Sequence, residues 1–371
     1  MSPRPLSAMV LAAGKSTRMR SERPKPLHVL CGRAMVLHIL DTLAELPLDR
    51  AVVVVGHSAE RVTKALNEQA PADLAIEFVE QHVQRGTGDA VAVGLTAFAG
   101  GGGVDDDDDE DGDLLVIPGD APLLRAGTLA TLVTAHHQSD AAATLLTAIA
   151  PDPTGYGRVI RGKDGRVSRI IEDRDASDDE REINEIGTSI YCFRRSVLAP
   201  ALRRLTPDND QGEYYLTDVI GVLHDAGYNV VSMVAADPME TVGINDRAQL
   251  AAAEAELRDR INARWMLNGV TMLDPERTYV DTTVRLGTDV TLFPGVVLQG
   301  DTVIAAGAEI GPDSRLVDCV VGEGAVVENT VARQAEIGAG ARVGPYASLG
   351  PGARIAPGSV TGAFYQGEGE D

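Results

Sequence analysis

The run Leu11-Ala12-Ala13-Gly14-Lys15-Ser16-Thr17-Arg18-Met19, followed by Pro24-Lys25-Pro26-Leu27, sets small residues beside cations. It comes after a short apolar stretch and before a helical pattern, so its backbone amides can cradle phosphates at the carboxyl end of a strand. Gly14-Lys15-Ser16 invites comparison with a P-loop. That motif needs a glycine five residues before Gly14, where Met9 stands, and the comparison is rejected. Arg18 and Lys25 are two cations on one loop, able to neutralise triphosphate charge as it shifts toward a leaving pyrophosphate. Asp120 follows the apolar run 114–117 and a Pro-Gly turn. That is a strand-end position, where open α/β sheets bind their ligands.

These groups stand out from an acidic background. The chain of 371 residues carries 33 Lys plus Arg against 55 Asp plus Glu, a formal charge of −22. Affinity for a phosphate backbone comes from clustered Lys and Arg, so neither nucleic acid nor an anionic membrane surface is an expected partner. Aromatic residues make up only 4%, which leaves few rings to stack on bases or sugars. Cys31, Cys192 and Cys319 are far apart and show no metal spacing, which reads as free thiols in a reducing compartment. The seven histidines form no pattern of a zinc site or catalytic triad. No apolar run approaches the ~20 residues of a membrane helix, and the N-terminus lacks the form of a signal peptide. A soluble, cytoplasmic protein is expected.

The elements that must position the loop cations and Asp120 follow from apolar patterning. Strand-like runs fall at 8–11, 51–55, 76–79, 114–117, 144–150 and 189–193, separated by helical patterns at 34–46, 59–68, 89–98, 128–138 and 217–226. Continuous apolar strands alternating with helices predict a mostly parallel, Rossmann-like α/β sheet covered on both faces, over residues 1–246. The run 105–113, with eight acids, reads as a solvated loop rather than a metal site. Residues 247–277 read as a connector helix and linker. From 278 to 360 the texture changes. Leu298, Ile304, Ile310 and Leu316 fall at intervals of six, as do Val331, Ile337, Val343, Leu349 and Ile355, with Val284, Val290 and Val296 as an earlier set. A six-residue apolar period with recurrent glycine predicts a short parallel β-helix of hexapeptide turns, about four coils long, with short loops or insertions where the register shifts. Residues 361–371 form an acidic tail.

The segment from Leu11 to Lys25 resembles the signature of sugar-phosphate nucleotidylyltransferases, and in particular of the GlmU-like bacterial N-acetylglucosamine-1-phosphate uridyltransferases. The resemblance continues through Gln81, Gly86-Thr87-Gly88, Gly119-Asp120-Ala121-Pro122-Leu123, Pro153 to Arg158, Ile171-Glu172, Gln211 to Asp218 and Gly243 to Arg247. It implies a Mg²⁺-dependent transfer from a nucleoside triphosphate, UTP favoured, to a sugar 1-phosphate. Carried over position by position, it gives Leu11, Ala12, Ala13 and Gly14 to the nucleotide, with Gln81, Gly86 and Thr87 at the uracil edge. It gives Asp120 and Asn245 to the metal, Gly157, Glu172, Gly187 and Thr188 to the sugar phosphate, and Arg18 and Lys25 to the triphosphate charge. It also implies that the β-helix is left-handed and assembles as a homo-oligomer, a trimer being favoured. Asn245 has a rival role as a helix cap, Glu172 as part of an exposed acidic face, and Tyr214-Tyr215 reads as packing.

Departures from the family pattern bear on substrate. Where the family has Glu-x-Asn, the chain reads Glu185-Ile186-Gly187, losing a side chain available to a sugar or phosphate oxygen; Ser16 replaces a loop glycine. Another hexose, amino-sugar or cyclitol phosphate is the alternative acceptor. Gly350 stands where relatives carry a substrate-binding arginine, and the family's further coils are missing, so no acetyltransferase activity is expected. A reading of another class, a non-catalytic sugar-nucleotide sensor or a scaffold, must explain why Arg18, Lys25, Asp120 and Asn245 are all present.

Overall fold

A computed structural model describes residues 4–14, 17–98 and 112–369. The acidic run at 105–113, apart from Gly112 and Asp113, and the Ser16 substitution lie outside the described residues. The chain divides into two compact units. One holds residues 1–28 and 34–249, the other residues 29–33 and 250–371.

The first unit is a nine-stranded sheet with helices on its faces. In chain order its elements are β1 (Leu6–Ala12), α1 (Met35–Ala44), β2 (Ala51–Val55), α2 (Ala59–Gln69), β3 (Ile76–Glu80), α3 (Thr87–Gly94), β4 (Asp113–Pro118), α4 (Ala126–Gln138), β5 (Ala143–Ile149), β6 (Arg158–Arg161), β7 (Val167–Ile171), β8 (Glu185–Arg194), α5 (Arg195–Leu202), α6 (Asp218–Asp225) and β9 (Val230–Val234). The order β9-β5-β8-β4-β1-β2-β3 is parallel except at β8, which runs antiparallel to both neighbours, and β6 and β7 extend from β8 as an antiparallel pair. The Val-rich run of β2 and the Leu/Ile/Val run of β4 are buried on both faces, as helices on both sides require. Three strands not expected from the sequence, β6, β7 and β9, carry mixed burial along their length.

Arg247–Leu267 forms a helix of 21 residues, and the left-handed β-helix follows as three sheets of five, six and five strands. It starts at Thr271–Met272, one strand earlier than expected, because Thr271 and Met272 already pair with Thr291 and Leu292. Each hexapeptide sends two residues inward, such as Val296 with Leu298, Ala308 with Ile310 and Ala325 with Val327, all fully buried. The shift between the Val284 and Leu298 sets therefore reflects two inward positions rather than a loop. Val331 corrects the expected period: it is 46% exposed, and Ala332 points inward instead. The step from Val327 to Ala332, like that from Leu316 to Val321, spans five residues, so these sides are shortened by one. Corners turn on left-handed residues: Asp289, Gly307, Gly324, Gly340 and Gly358 occupy one column at positive φ.

Candidate active site

Order reverses in the sheet between β1 and β4, and a cavity of about 720 Å³ opens beyond their carboxyl ends. This is the crevice in which doubly wound sheets bind ligands. Its wall contains Leu11 to Gly14 from the end of β1 onward, Asp120 after β4, Gln81 and Gly86 between β3 and α3, and Thr87 at the start of α3. The far wall contains Gly157, Glu172, Gly187 and Thr188 from β6 to β8, and Arg18, Lys25 and Asn245 close it. The residues that the resemblance assigns to nucleotide, metal, sugar phosphate and triphosphate charge thus line one cavity.

Its charged centre is compact. Lys25 lies in a one-turn 3₁₀ helix between Pro24 and Pro26, which fixes its backbone. Its Nζ donates to Asp120 Oδ2 and, at 2.9 Å, to Asn245 Oδ1. Arg18 Nη2 donates to the same Asn245 oxygen at 2.9 Å. Lys25 is thus no free surface lysine: its side chain is 15% exposed. Nor does Asn245 cap the helix at Arg247. Asp246 Oδ1 accepts the Gln249 amide at 2.8 Å in that role, while the Asn245 amide nitrogen of the backbone donates to Gln249 Oε1. The backbone of Asp120 is held by the Ile244 amide, which donates to its carbonyl at 2.9 Å.

Beside β3 and α3, Gln81 is buried, and its Nε2 donates to Asp89 Oδ2 at 2.8 Å and to the Gly86 carbonyl at 3.3 Å. Those bonds orient the side chain with its carbonyl as the group left to accept. Thr87 Oγ1 accepts the Leu216 amide at 3.0 Å, and the Gly88 amide donates to the Tyr214 carbonyl at 2.8 Å. The segment at 214–216 therefore braces the turn into α3.

On the far wall, β8 bulges between Gly187 and Ile190, with Ser189 at φ 60°. Thr188 Oγ1 turns away to the Leu146 carbonyl at 2.7 Å, and Gly187 offers no side chain. Glu172 faces the cavity rather than an acidic surface, accepting from Thr217 Oγ1 at 2.9 Å. Burial, only partly offset by that hydrogen bond, pushes its carboxyl above the ordinary range. The folded protein then holds the proton more tightly than the unfolded chain, so stability falls as pH rises out of the ordinary carboxylate range. Glu172→Gln is expected to be relatively more stable at neutral pH, and its advantage over wild type should shrink as pH falls toward 4.5, read from paired melting curves. A pH-independent difference would remove burial of the charge as the cause.

The cavity includes residues that the sequence reading missed. Tyr215, read as packing, lines it and receives a hydrogen bond from Gln211 at 2.8 Å, whereas Tyr214 does pack in the core. Tyr191 lines it too and is 1% exposed. The histidines also come together more than their spacing suggested. His136 Nδ1 lies 2.9 Å from Thr144 Oγ1 and its Nε2 3.3 Å from Asp113 Oδ1, with His137 on the other Asp113 oxygen. This Thr-His-Asp chain resembles a triad only in connectivity: all three side chains are fully buried at the amino end of β4, closed to any substrate. Among the described residues, no group of three or more His, Cys, Asp or Glu is arranged to hold a metal ion, and the three cysteines are free and buried. No helix among them is long and apolar enough to cross a membrane.

A switch-point cavity with paired cations and a carboxylate, on this sheet order, suits a nucleotidyltransferase, and the comparisons with known proteins give that class. The MobA-like NTP transferase domain matches residues 8–224. The bifunctional protein GlmU of Streptomyces avermitilis is 47% identical over 342 residues, covering 92% of this chain and 69% of the relative. GlmU of Streptomyces coelicolor gives the same figures, 47% over 342 residues. That of Thermobifida fusca is 45% identical over 335 residues, covering 90% of this chain and 68% of its own length. The chain belongs to the GlmU family of sugar-nucleotide nucleotidyltransferases.

Proposed function

We propose that the protein is a Mg²⁺-dependent nucleotidylyltransferase that makes UDP-N-acetylglucosamine, or a related UDP-sugar, and pyrophosphate. The observation that carries this is the convergence of Arg18, Lys25, Asp120 and Asn245 in one cavity. A phosphate oxygen of the sugar 1-phosphate attacks the α-phosphorus in line. One P–O bond forms, the bond to the bridging oxygen of pyrophosphate breaks, and no covalent enzyme species is needed. The protein positions two anions and offsets their repulsion.

Asp120 and Asn245 would hold the metal. Their oxygens converge on one cation, the Lys25 ammonium, and hard oxygen donors suit Mg²⁺. When bound, Mg²⁺ supplies charge neutralisation at the phosphates. Arg18 and Lys25 hold triphosphate oxygens, with the loop amides near Gly14. UTP is favoured because the Gln81 carbonyl can accept the N3–H of uracil, which cytosine lacks. Glu172 accepts a sugar hydroxyl.

The acceptor is the finer question. N-acetylglucosamine 1-phosphate follows from the family; Gly187 favours testing another hexose, amino-sugar or cyclitol phosphate. A Cβ at Gly187 would meet Ile170 methyls at 3.3 and 3.4 Å and, at ordinary contact distance, the Gly157 carbonyl oxygen at 3.9 Å, so a side chain there needs a small shift of one flexible group. The test is pyrophosphate release from four nucleoside triphosphates against a panel of sugar 1-phosphates, with Gly187→Asn alongside wild type. Gly187→Asn is expected to shift preference toward N-acetylglucosamine 1-phosphate by roughly tenfold or more, by restoring a hydrogen bond to the acceptor. An unchanged preference would remove position 187 from acceptor choice. Binding of nucleotide without any release across the panel would favour a sensor.

We also propose no acetyl transfer by the coils present here. Gly350 has no side chain to bind a substrate, and its amide is committed to the Gly367 carbonyl at 2.8 Å. A homotrimer built on the prism and a cytoplasmic location complete the proposal, supported by the exposed Tyr279 and Val331 on one prism face and by the free thiols.

A further inference from the structure

We propose that in the substrate-free protein the Lys25 ammonium holds the position that a divalent cation takes between Asp120 and Asn245, so that the metal enters only in company with a polyphosphate that draws Lys25 away. The proposal rests on reading Asp120 and Asn245 as metal donors, and not on the identity of the sugar. Three contacts carry it. Lys25 Nζ donates to Asp120 Oδ2 and to Asn245 Oδ1, and Arg18 Nη2 donates to that same Asn245 oxygen. Both candidate donor oxygens are therefore already engaged by positive charge.

A divalent ion arriving alone has to shed part of a tightly held water shell, displace an ammonium and settle beside an arginine. Nothing in the exchange supplies the displaced cations with a new partner. A triphosphate does: its oxygens offer Lys25 and Arg18 other anions at the moment the metal takes their place. The mechanics suit such an exchange. Lys25 is fixed at its backbone between Pro24 and Pro26, while its four-carbon stem lets the ammonium swing without moving the loop. Arg18 is exposed and free to follow. One lysine thus serves two successive partners, first the metal's donors and then the phosphates.

Two consequences are measurable. The affinity for metal alone is lowered by the small fraction of molecules with Lys25 displaced. By linkage, metal and nucleotide each strengthen the other's binding by the same factor. The experiment is titration of Mn²⁺ alone into the full chain, followed by electron paramagnetic resonance, with no nucleotide and no turnover. Lys25→Met is expected to bind Mn²⁺ at one site at least about tenfold more tightly than wild type. Lys25→Arg, which keeps the charge, should bind as weakly as wild type, and adding Asp120→Asn to Lys25→Met should abolish the gain. Equal or weaker binding by Lys25→Met overturns the proposal, as does a gain in Lys25→Arg as large as that in Lys25→Met. If Lys25→Met folds poorly, Arg18→Met at its exposed side chain is expected to show a smaller gain, and no gain overturns the proposal. A wild-type protein that releases no pyrophosphate from any substrate pair, while Lys25→Met shows the gain, would lose the proposed function and keep this exchange.

Discussion

Asp120→Ala is expected to lower kcat for pyrophosphate release by about 10³-fold while leaving the fold intact. The carboxylate stands beyond the carboxyl end of β4 against Lys25; of the other described acids lining the cavity, Glu172 is bound to Thr217, and neither it nor Glu213 bonds to Lys25 or Asn245. Its loss removes the negative donor proposed for the metal and leaves Lys25 bonded to Asn245. The structural cost has to be read separately, because the Lys25–Asp120 pair is mostly buried, at 15% and 24% exposure for the two side chains, and removing one partner leaves the other charge without its counterion. The backbone link from Ile244 to the Asp120 carbonyl survives truncation of the side chain. Coupled detection of pyrophosphate beside a thermal melt separates the two effects. Turnover within tenfold of wild type would take Asp120 out of the reaction.

Gly86→Ala is expected to damage both nucleotide binding and the sheet unit. Gly86 stands before the first turn of α3 with φ 110° and ψ 177°, a conformation open to glycine and strained for any L side chain. A Cβ there would meet the Tyr214 carbonyl oxygen at 2.5 Å and its nitrogen at 2.9 Å. Those are backbone atoms, already committed to Gly88 and Arg85, so they cannot step aside without breaking the brace on α3. Strain and clash together suggest a loss of about 2–4 kcal/mol. Gln81 donates to the Gly86 carbonyl, so the same change tilts the group proposed to read uracil. The expected result is a KM for UTP raised at least about tenfold, with the KM for the sugar phosphate less affected. A melting temperature and a KM for UTP both matching wild type would show that the turn relaxes freely and would remove its proposed part in nucleotide binding.

Legibility in the sequence followed burial. β2 and β4 are apolar on both faces, so their composition alone marked them. β6, β7 and β9 each show a graded mixture of buried and exposed residues, because they lie in the outlying pair or at the sheet's edge, and their Arg and Ser positions masked the strand pattern. α5 went unseen because Pro200, normally a helix breaker, sits inside it. In the β-helix the period was plain but its phase was not. Val331 and Ala332 are neighbours, and only the five-residue sides decide which one points inward.

At the site, the motif residues were legible as a set, yet their partners were not. Nothing in the spacing joins Arg18 to Asn245 or Thr217 to Glu172, contacts that exist only once the sheet brings distant loops together. Tyr191 and Tyr215 were obscured for a different reason. An aromatic among apolar residues reads as core, and Tyr191 belongs to the core as well as to the cavity wall.

The reversed strand β8 divides the cavity's walls between two parts of the sheet. On the proposed reading the nucleotide faces the parallel run of β1 to β4 and its loops, with Asn245 joining from beyond β9, and the acceptor faces β8 and its outlying pair. The bulge after Gly187 lets this second wall be recut by one or two residues without disturbing the registers of β1 with β2 and β4. A lineage can therefore exchange the molecule it activates while keeping its energy currency, in the manner of a tool with a fixed handle and replaceable jaws.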